Sequence, residues 1–240
     1  MSLLDWLRWC GRRLPQAEAE RLAQWRALPE PDDAAPHARQ RFVVVDVESS
    51  GLNVFQDHLI AIGAVAVEDG RVMLDSSFYR VLRQSEASSH ENILVHGIGG
   101  SAQTGGDDPT QVLLDFLAFI GKCPLVGYHT HFDDIMIRRA MRGHVGESFR
   151  RHWIDLALLA PGLGLVPEGR PMGLDDWLQT FGITNYRRHD ALADALATAQ
   201  LFQVLLARAA VTGDLRTAEA FGRNFAEVLA RMTVPAEEVA

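Results

Sequence analysis

Apolar and polar positions change their spacing along this chain, and each change marks a different kind of element. Leu3, Leu4, Leu7 and Leu14 recur at helical intervals, with Trp6 and Trp9 among them, so residues 1–28 predict a helix. Pro29, Pro31 and Pro36 then predict a linker. The run Phe42-Val43-Val44-Val45-Asp46-Val47 is apolar and β-branched, the pattern of a buried strand. Leu59–Val67 predicts a second strand, Glu68-Asp69-Gly70 a tight turn and Arg71–Leu82 a third strand, which together make a hairpin. Gln84–Pro109, with Gly97, Gly99, Gly100, Gly105 and Gly106, reads as loop.

From Thr110 onward the spacing alternates between helical and extended. Helices are expected over Thr110–Gly121, Phe132–Arg142, Leu174–Phe181, Ala191–Ala210 and roughly Leu215–Arg231, with short strands at Leu125–Gly127 and His152–Asp155. Antiparallel strands followed by strand–helix units predict an α/β fold, a mixed sheet flanked by helices. The organisation expected is a helical extension and linker over residues 1–36, one α/β domain over 37–210 and a helical tail over 211–240.

Composition narrows the classes. The 240 residues are 48% hydrophobic and 22% charged, as in an ordinary globular protein. The longest unbroken apolar run, Leu59–Val67, is far shorter than the roughly 18 residues of a membrane span, so no integral membrane segment is expected. The N-terminus, with Asp5, Arg8, Arg12 and Arg13, lacks the apolar stretch of a secretory signal. Cys10 and Cys123 are too few for a disulfide framework or a cysteine zinc site, which fits a cytoplasmic location. A net charge of −8 disfavours coating nucleic acid through bulk charge, leaving local basic clusters or metal-bridged phosphate binding.

Several acidic residues then need a reason. Asp46 and Glu48 end the most apolar strand and, two residues apart, project to the same side. Like charges there are costly unless a cation neutralises them. Asp133 lies where a short strand passes into a helix, and Asp194 lies among Ala193, Ala195 and Ala197 on a face expected to pack closely on the sheet. His189, five residues earlier, can turn back over the first turn of that helix. Three such regions and a histidine are what two-cation hydrolysis requires. Mg²⁺ takes carboxylate and phosphate oxygens, two ions about 3.5–4 Å apart hold the attacking and leaving oxygens, and a neutral histidine accepts the proton of the attacking water. His129 and His131 have no third ligand at a recognisable spacing and are read as non-ligands.

Three segments, FVVVDVESSGL, LVGYHTHFDDIMI and HDALADALATAQLF, resemble in order and spacing the three motifs of the DnaQ-like (DEDDh) 3′–5′ exonucleases. That superfamily includes the proofreading epsilon subunit of bacterial DNA polymerase III. The resemblance covers about residues 41–205, including the hairpin and the His96-Gly97-Ile98 segment. It implies a ribonuclease H-like fold, metal-binding carboxylates at Asp46, Glu48, Asp133 and Asp194, and His189 as general base. It also implies that Mg²⁺ or Mn²⁺, two ions with substrate, are the cofactors. Substrate contacts are expected from Ser49, Ser50, Gly51, Leu52 and His129. Ser49 and Ser50 stand where the family usually has threonines, and Tyr128-His129 where it often has His-Asn.

The expected activity is hydrolysis of phosphodiester bonds at the 3′ ends of nucleic acid, single-stranded DNA above all, releasing nucleoside 5′-monophosphates. The alternatives are an RNA-trimming exoribonuclease and a polymerase-associated proofreading subunit acting mainly through docking. The N-terminal helix is expected to pack on its own domain, with docking to a polymerase or other protein partner, or to a membrane surface, as the alternatives. It is also expected to be separable from the domain without loss of folding. Arg187 and Arg188, before His189, and Arg138, Arg139 and Arg142, after the second motif, are the candidates for gripping the phosphate backbone.

Overall fold

The computed structural model describes residues 14–32, 37–165, 172–212 and 215. Strands β1 (Arg41–Ser49), β2 (Leu59–Glu68), β3 (Arg71–Val81), β4 (Leu125–Gly127) and β5 (Trp153–Asp155) form a five-stranded sheet in the order β3-β2-β1-β4-β5. The hairpin strands are antiparallel, while β4 and β5 run parallel to β1. This is the expected mixed sheet.

Strand β1 is central because it is apolar on both faces, and alternation divides its side chains between two cores. Val43, Val45 and Val47 pack with helices α4 (Pro109–Ile120) and α5 (His131–Ala140). Phe42 and Val44 pack on the other face with α6 (Leu156–Gly162), α7 (Leu174–Thr180) and α8 (Ala191–Thr212). In α8, Ala195 and Ala199 are fully buried against the sheet, so this long helix lies close to it.

The segment expected to be loop contains two short helices, α2 (His90–His96) and α3 (Gly100–Thr104). Ser89 caps α2 by accepting from the Asn92 amide, and Gly97 ends it in the left-handed region. Helix α6 was also not expected from the sequence, because Pro161 falls inside it and Gly162 closes it. Helix α5 stops at Ala140, before the expected Arg142, and passes into a π turn over Met141–Val145 ended by left-handed Gly146. Among the described residues no helix is long and apolar enough to cross a membrane.

The part of the N-terminal region that is described packs on the domain, as the favoured reading expects. Helix α1 (Gln16–Arg26) places Leu22 and Trp25 in the core shared by β1, α4 and α5. The Trp25 indole donates to the Gly121 carbonyl at 2.7 Å, and Lys122 Nζ stands 3.6 Å over its ring. Arg21 reaches Gln111 at 2.9 Å and Asp115 at 2.5 Å on α4. Residues 1–13 and the expected helix over 215–231, apart from buried Leu215, lie outside the described residues.

Because Trp25 fills space between α1 and α4, Trp25→Ala should lower unfolding free energy by about 3–5 kcal/mol in urea titrations. Deleting residues 1–36 should lower the melting temperature, in place of the neutral outcome expected from sequence. Equal melting of truncated and full-length protein would show that α1 adds nothing to the core.

Candidate metal centre

Strand β1 outruns its parallel neighbour. Its pairing with β4 stops at Val44↔Val126, whereas its ladder with β2 continues to Ser49. Asp46 and Glu48 occupy this overhang, on the face that carries Phe42 and Val44 toward α8. Directly opposite Asp46 in the ladder is Gly63. A Cβ at Gly63 would lie 2.2 Å from the Ala191 carbonyl carbon and 2.4 Å from the Leu192 nitrogen. The missing side chain therefore lets the first turn of α8 rest on the sheet beside Asp46. Asp194, on that turn, is 3% exposed, and its carboxylate meets those of Asp46 and Glu48, ligand oxygens of all three lying within 4.8 Å of one another.

Asp133 comes from the other helical layer. It sits in the first turn of α5, 7% exposed, and accepts hydrogen bonds from its own main chain and that of Val47. Its charge is felt at both Asp46 and Glu48. The turn into α5 is shaped by Asp155 at the end of β5. One carboxylate accepts from the amides of His129 at 2.9 Å, Thr130 at 3.1 Å and Ala157 at 3.0 Å. His129 adopts φ +58° in this turn and is exposed.

Asp194 is oriented by several donors. The His189 amide reaches its Oδ2 at 2.8 Å, with His189 itself at φ +60°. Asn185 Nδ2 donates to Oδ1 at 2.5 Å, and Arg188 Nη1 donates to the same oxygen. Arg188 Nε also meets Asp175 at 2.9 Å, and Arg187 pairs with Asp190 at 3.4 Å. The histidine therefore stands at the entry of the helix that carries Asp194, as the five-residue spacing requires, and its side chain is exposed.

Around β1's end, Ser49 Oγ donates to the Gly51 carbonyl at 2.7 Å. Ser50 Oγ donates to Asp57 at 3.1 Å and accepts from the His58 amide at 2.9 Å. Gly51 is packed so tightly that a Cβ would lie 2.5 Å from Asp57 Oδ2. Leu52 is 88% exposed. Among the expected phosphate grips, Arg138 pairs with Asp134 at 3.2 Å and Arg139 turns onto main-chain carbonyls. The sequence reading assigned no role to Gly63, Asp155, Asn185 or Asp175. Only Asp155 carried a local signal, an acidic residue just before a helix.

The electrostatics of the cluster are those of crowded anions. Burial is the largest cause holding the Asp46 carboxyl well above the usual range, followed by the charges of Asp133, Asp194 and Glu48, with Arg188 opposing. Glu48 is pushed up to about 8, again first by burial and then by Asp194, Asp190 and Asp133. Burial also raises Asp133 against the pull of its main-chain hydrogen bonds. An all-oxygen, anionic and partly desolvated donor set fits a hard divalent cation. Asp46, Glu48 and Asp194 can coordinate one.

Two predictions follow from this geometry. Gly63→Ala should push α8 off the sheet, lowering stability by about 1–3 kcal/mol and weakening Mn²⁺ binding in calorimetry; an unaltered protein would dissociate the helix contact from the site. The second concerns pH. A carboxyl whose folded value is raised contributes stability that is present below its ordinary value and lost as pH rises toward the raised one. For Glu48 that window runs from 4.5 to about 8. In EDTA, the melting temperature of Glu48→Gln relative to wild type should rise across this window. A constant difference between the two proteins would mean that Glu48 is not held protonated by its neighbours.

Comparison with known proteins places the fold in a family. A family model described as Exonuclease matches residues 43–202. The chain is 30% identical over 161 residues to a DNA polymerase III PolC-type of Thermotoga petrophila, covering 67% of this chain but 11% of that polymerase. It is 27% identical over 165 residues to DNA polymerase III subunit epsilon of Aquifex aeolicus, covering 69% of this chain and 80% of that subunit. The fold superposes on E. coli exonuclease I in complex with a dT13 oligonucleotide with a TM-score of 0.61 at 17% identity, over 72% of this chain and 42% of the other. The match across all three carboxylate-bearing segments, on a five-stranded sheet that gathers them at one end, means that the chain belongs to the exonuclease family and has the DnaQ-like (DEDDh) fold.

Proposed function

We propose that the protein is a metal-dependent 3′–5′ exonuclease that hydrolyses the terminal phosphodiester bond of single-stranded DNA and releases nucleoside 5′-monophosphates. The observation that carries this reading is the convergence of Asp46, Glu48 and Asp194, with Asp133 beside them, at the open end of the sheet. The exonuclease I–dT13 complex among the structural neighbours supports single-stranded DNA as substrate. Mg²⁺ or Mn²⁺ held by these carboxylates, two ions with substrate bound, supplies Lewis-acid stabilisation of charge on the phosphate oxygens.

The chain's own residues do the rest. Asp46, Glu48 and Asp194 would hold the cation, whose positive charge offsets the repulsion between these carboxylates and the scissile phosphate. His189 accepts the proton of the attacking water, whose oxygen forms the new P–O bond as the bond to the 3′-oxygen of the penultimate nucleotide breaks. That oxygen leaves with a proton, giving a strand one nucleotide shorter with a 3′-hydroxyl, and a free 5′-monophosphate. Arg187 and Arg188, on the turn before His189, would meet the phosphates next to the cleaved bond by exchanging their carboxylate partners for phosphate oxygens. Their pairing with Asp190, Asp175 and Asp194 puts them at the rim of the cluster.

The test is a time course on 5′-end-labelled single- and double-stranded DNA and RNA, with Mg²⁺, Mn²⁺ or EDTA. Stepwise shortening from the 3′ end, fastest on single-stranded DNA and absent in EDTA, is expected. A faster course on RNA would favour the exoribonuclease reading. Asp46→Asn should lower turnover by several orders of magnitude without loss of melting temperature, because it relieves anion repulsion. His189→Ala should lower kcat by roughly 10²–10⁴-fold and change the shape of the pH–rate profile. Near-normal turnover of Asp46→Asn at saturating Mg²⁺ would overturn the assignment.

A further inference from the structure

The loop that follows the catalytic strand is built to hold an aromatic ring in water. It begins two residues after Glu48 and is closed at its base by the Ser50 amide on the His58 carbonyl at 2.9 Å. Inside it, the Asn53 amide reaches Asp57 Oδ2 at 2.7 Å and the Phe55 amide reaches Asn53 Oδ1 at 3.0 Å. The amides of Gln56 and Asp57 both return to the Asn53 carbonyl, at 3.0 and 2.8 Å. The tip is therefore a tight, self-bonded turn. Yet Phe55 on that tip is 81% exposed. A fixed turn that turns a phenyl ring outward gains nothing in folding from the ring itself.

The turn is also gripped from outside. Arg139, on α5, donates Nη1 to the carbonyls of Val54 and Asp57, the latter at 2.9 Å, and Nη2 to the carbonyl of Phe55 at 3.0 Å. One planar guanidinium thus satisfies carbonyls from three residues of the turn, a task its fork geometry suits and an ammonium does not. The same helix carries Asp133 in its first turn. The loop and one of the four carboxylates, Asp133, are consequently tied to the same helix.

We propose that Phe55 is a stacking platform for a nucleobase of the bound strand, and that Arg139 is the positioning residue that holds it there. This rests on the exonuclease reading above. Aromatic rings contribute to single-strand binding by stacking on any base, so they tolerate sequence while fixing the path of the strand. The loop leaves β1 two residues after Glu48 and is held from the helix that carries Asp133, so on this proposal a strand with its 3′ end at the carboxylates runs over the tip. Arg139 acts through the loop, because both of its terminal nitrogens donate to loop carbonyl oxygens.

The experiment uses the full chain and 13-nucleotide DNA strands carrying 2-aminopurine at successive positions from the 3′ end. Binding is followed in the nuclease-inactive Asp46→Asn background with Mg²⁺, and steady-state kinetics in the active background. Stacking on Phe55 is expected to quench 2-aminopurine at one position. Phe55→Ala should remove that quench and raise Kd and KM roughly 5- to 100-fold, with the larger part of the kinetic loss in KM. Phe55→Trp should restore both. Arg139→Ala should reproduce Phe55→Ala, and Arg139→Lys should fail to rescue it, whereas rescue by lysine would mean that the charge grips phosphate instead. Should Arg139 variants not fold, the exposed Phe55 variants still decide the platform. Quench and KM within twofold of the parent in Phe55→Ala, or a parent that does not bind these strands at all, overturns the inference. Failure of the parent to shorten any strand despite a Phe55-dependent quench overturns the nuclease reading and leaves the platform standing.

Discussion

Helix α8 begins where it does because Gly63 offers no side chain to stop it, and the placement of Asp194 depends on that contact. With the Ala191 carbonyl carbon at 2.2 Å from where a Cβ would stand, even a methyl group is excluded. The fully buried Ala195 and Ala199 continue the same close approach along the helix. A helix set a few ångströms further out would lose the packing of these alanines and would also carry Asp194 away from Asp46 and Glu48. Backbone proximity, not propensity, thus brings a carboxylate at a helix start into a group that can hold a metal ion.

Bringing carboxylates together in this way works against folding. Desolvation and mutual repulsion raise the carboxyls of Asp46, Glu48 and Asp133, so part of the cluster is held protonated at neutral pH. The structure meets this with directed donors. Val47's main chain, the His189 amide, Asn185 and Arg188 each reach one of the carboxylates. The two apolar clusters on either side of β1 hold the strand rigid while its end carries charge. Binding of a divalent cation would convert the remaining repulsion into attraction, which couples metal affinity to the rigidity of the sheet.

Much of this was legible in the sequence, for identifiable reasons. Strands β1 and β2 are apolar on both faces and so stand out in any window, and Asp46 and Glu48 are conspicuous because they interrupt such a run. Asp194 was legible because an acidic residue among alanines on a packed helix needs a reason. Gly63 was not, since a glycine between Ile62 and Ala64 looks like one more small residue until the helix above it is placed. Helix α2 was hidden because its Ser89 and Gly97 caps enclose too few residues for periodicity to register. Arg139 was grouped with Arg138 and Arg142 as one basic face, because its partners lie more than 80 residues earlier in the chain. Pairings over such separations leave no trace in local pattern.

Helix α5 is the element on which these separate features meet. Its first turn is set by the Asp155 carboxylate through the amides of His129 and Thr130, which fixes the direction in which Asp133 projects. Further along, Arg139 holds the loop that continues from the catalytic strand. A rotation or slide of this helix would therefore move a carboxylate and the loop tip together, not one without the other. For the exonuclease proposed above, a constant separation between the cleaved phosphate and the next contact on the strand would keep the register from drifting. Helix α5, bonded at one end to the Asp155 carboxylate and at the other to the loop through Arg139, is the element that would supply that constancy.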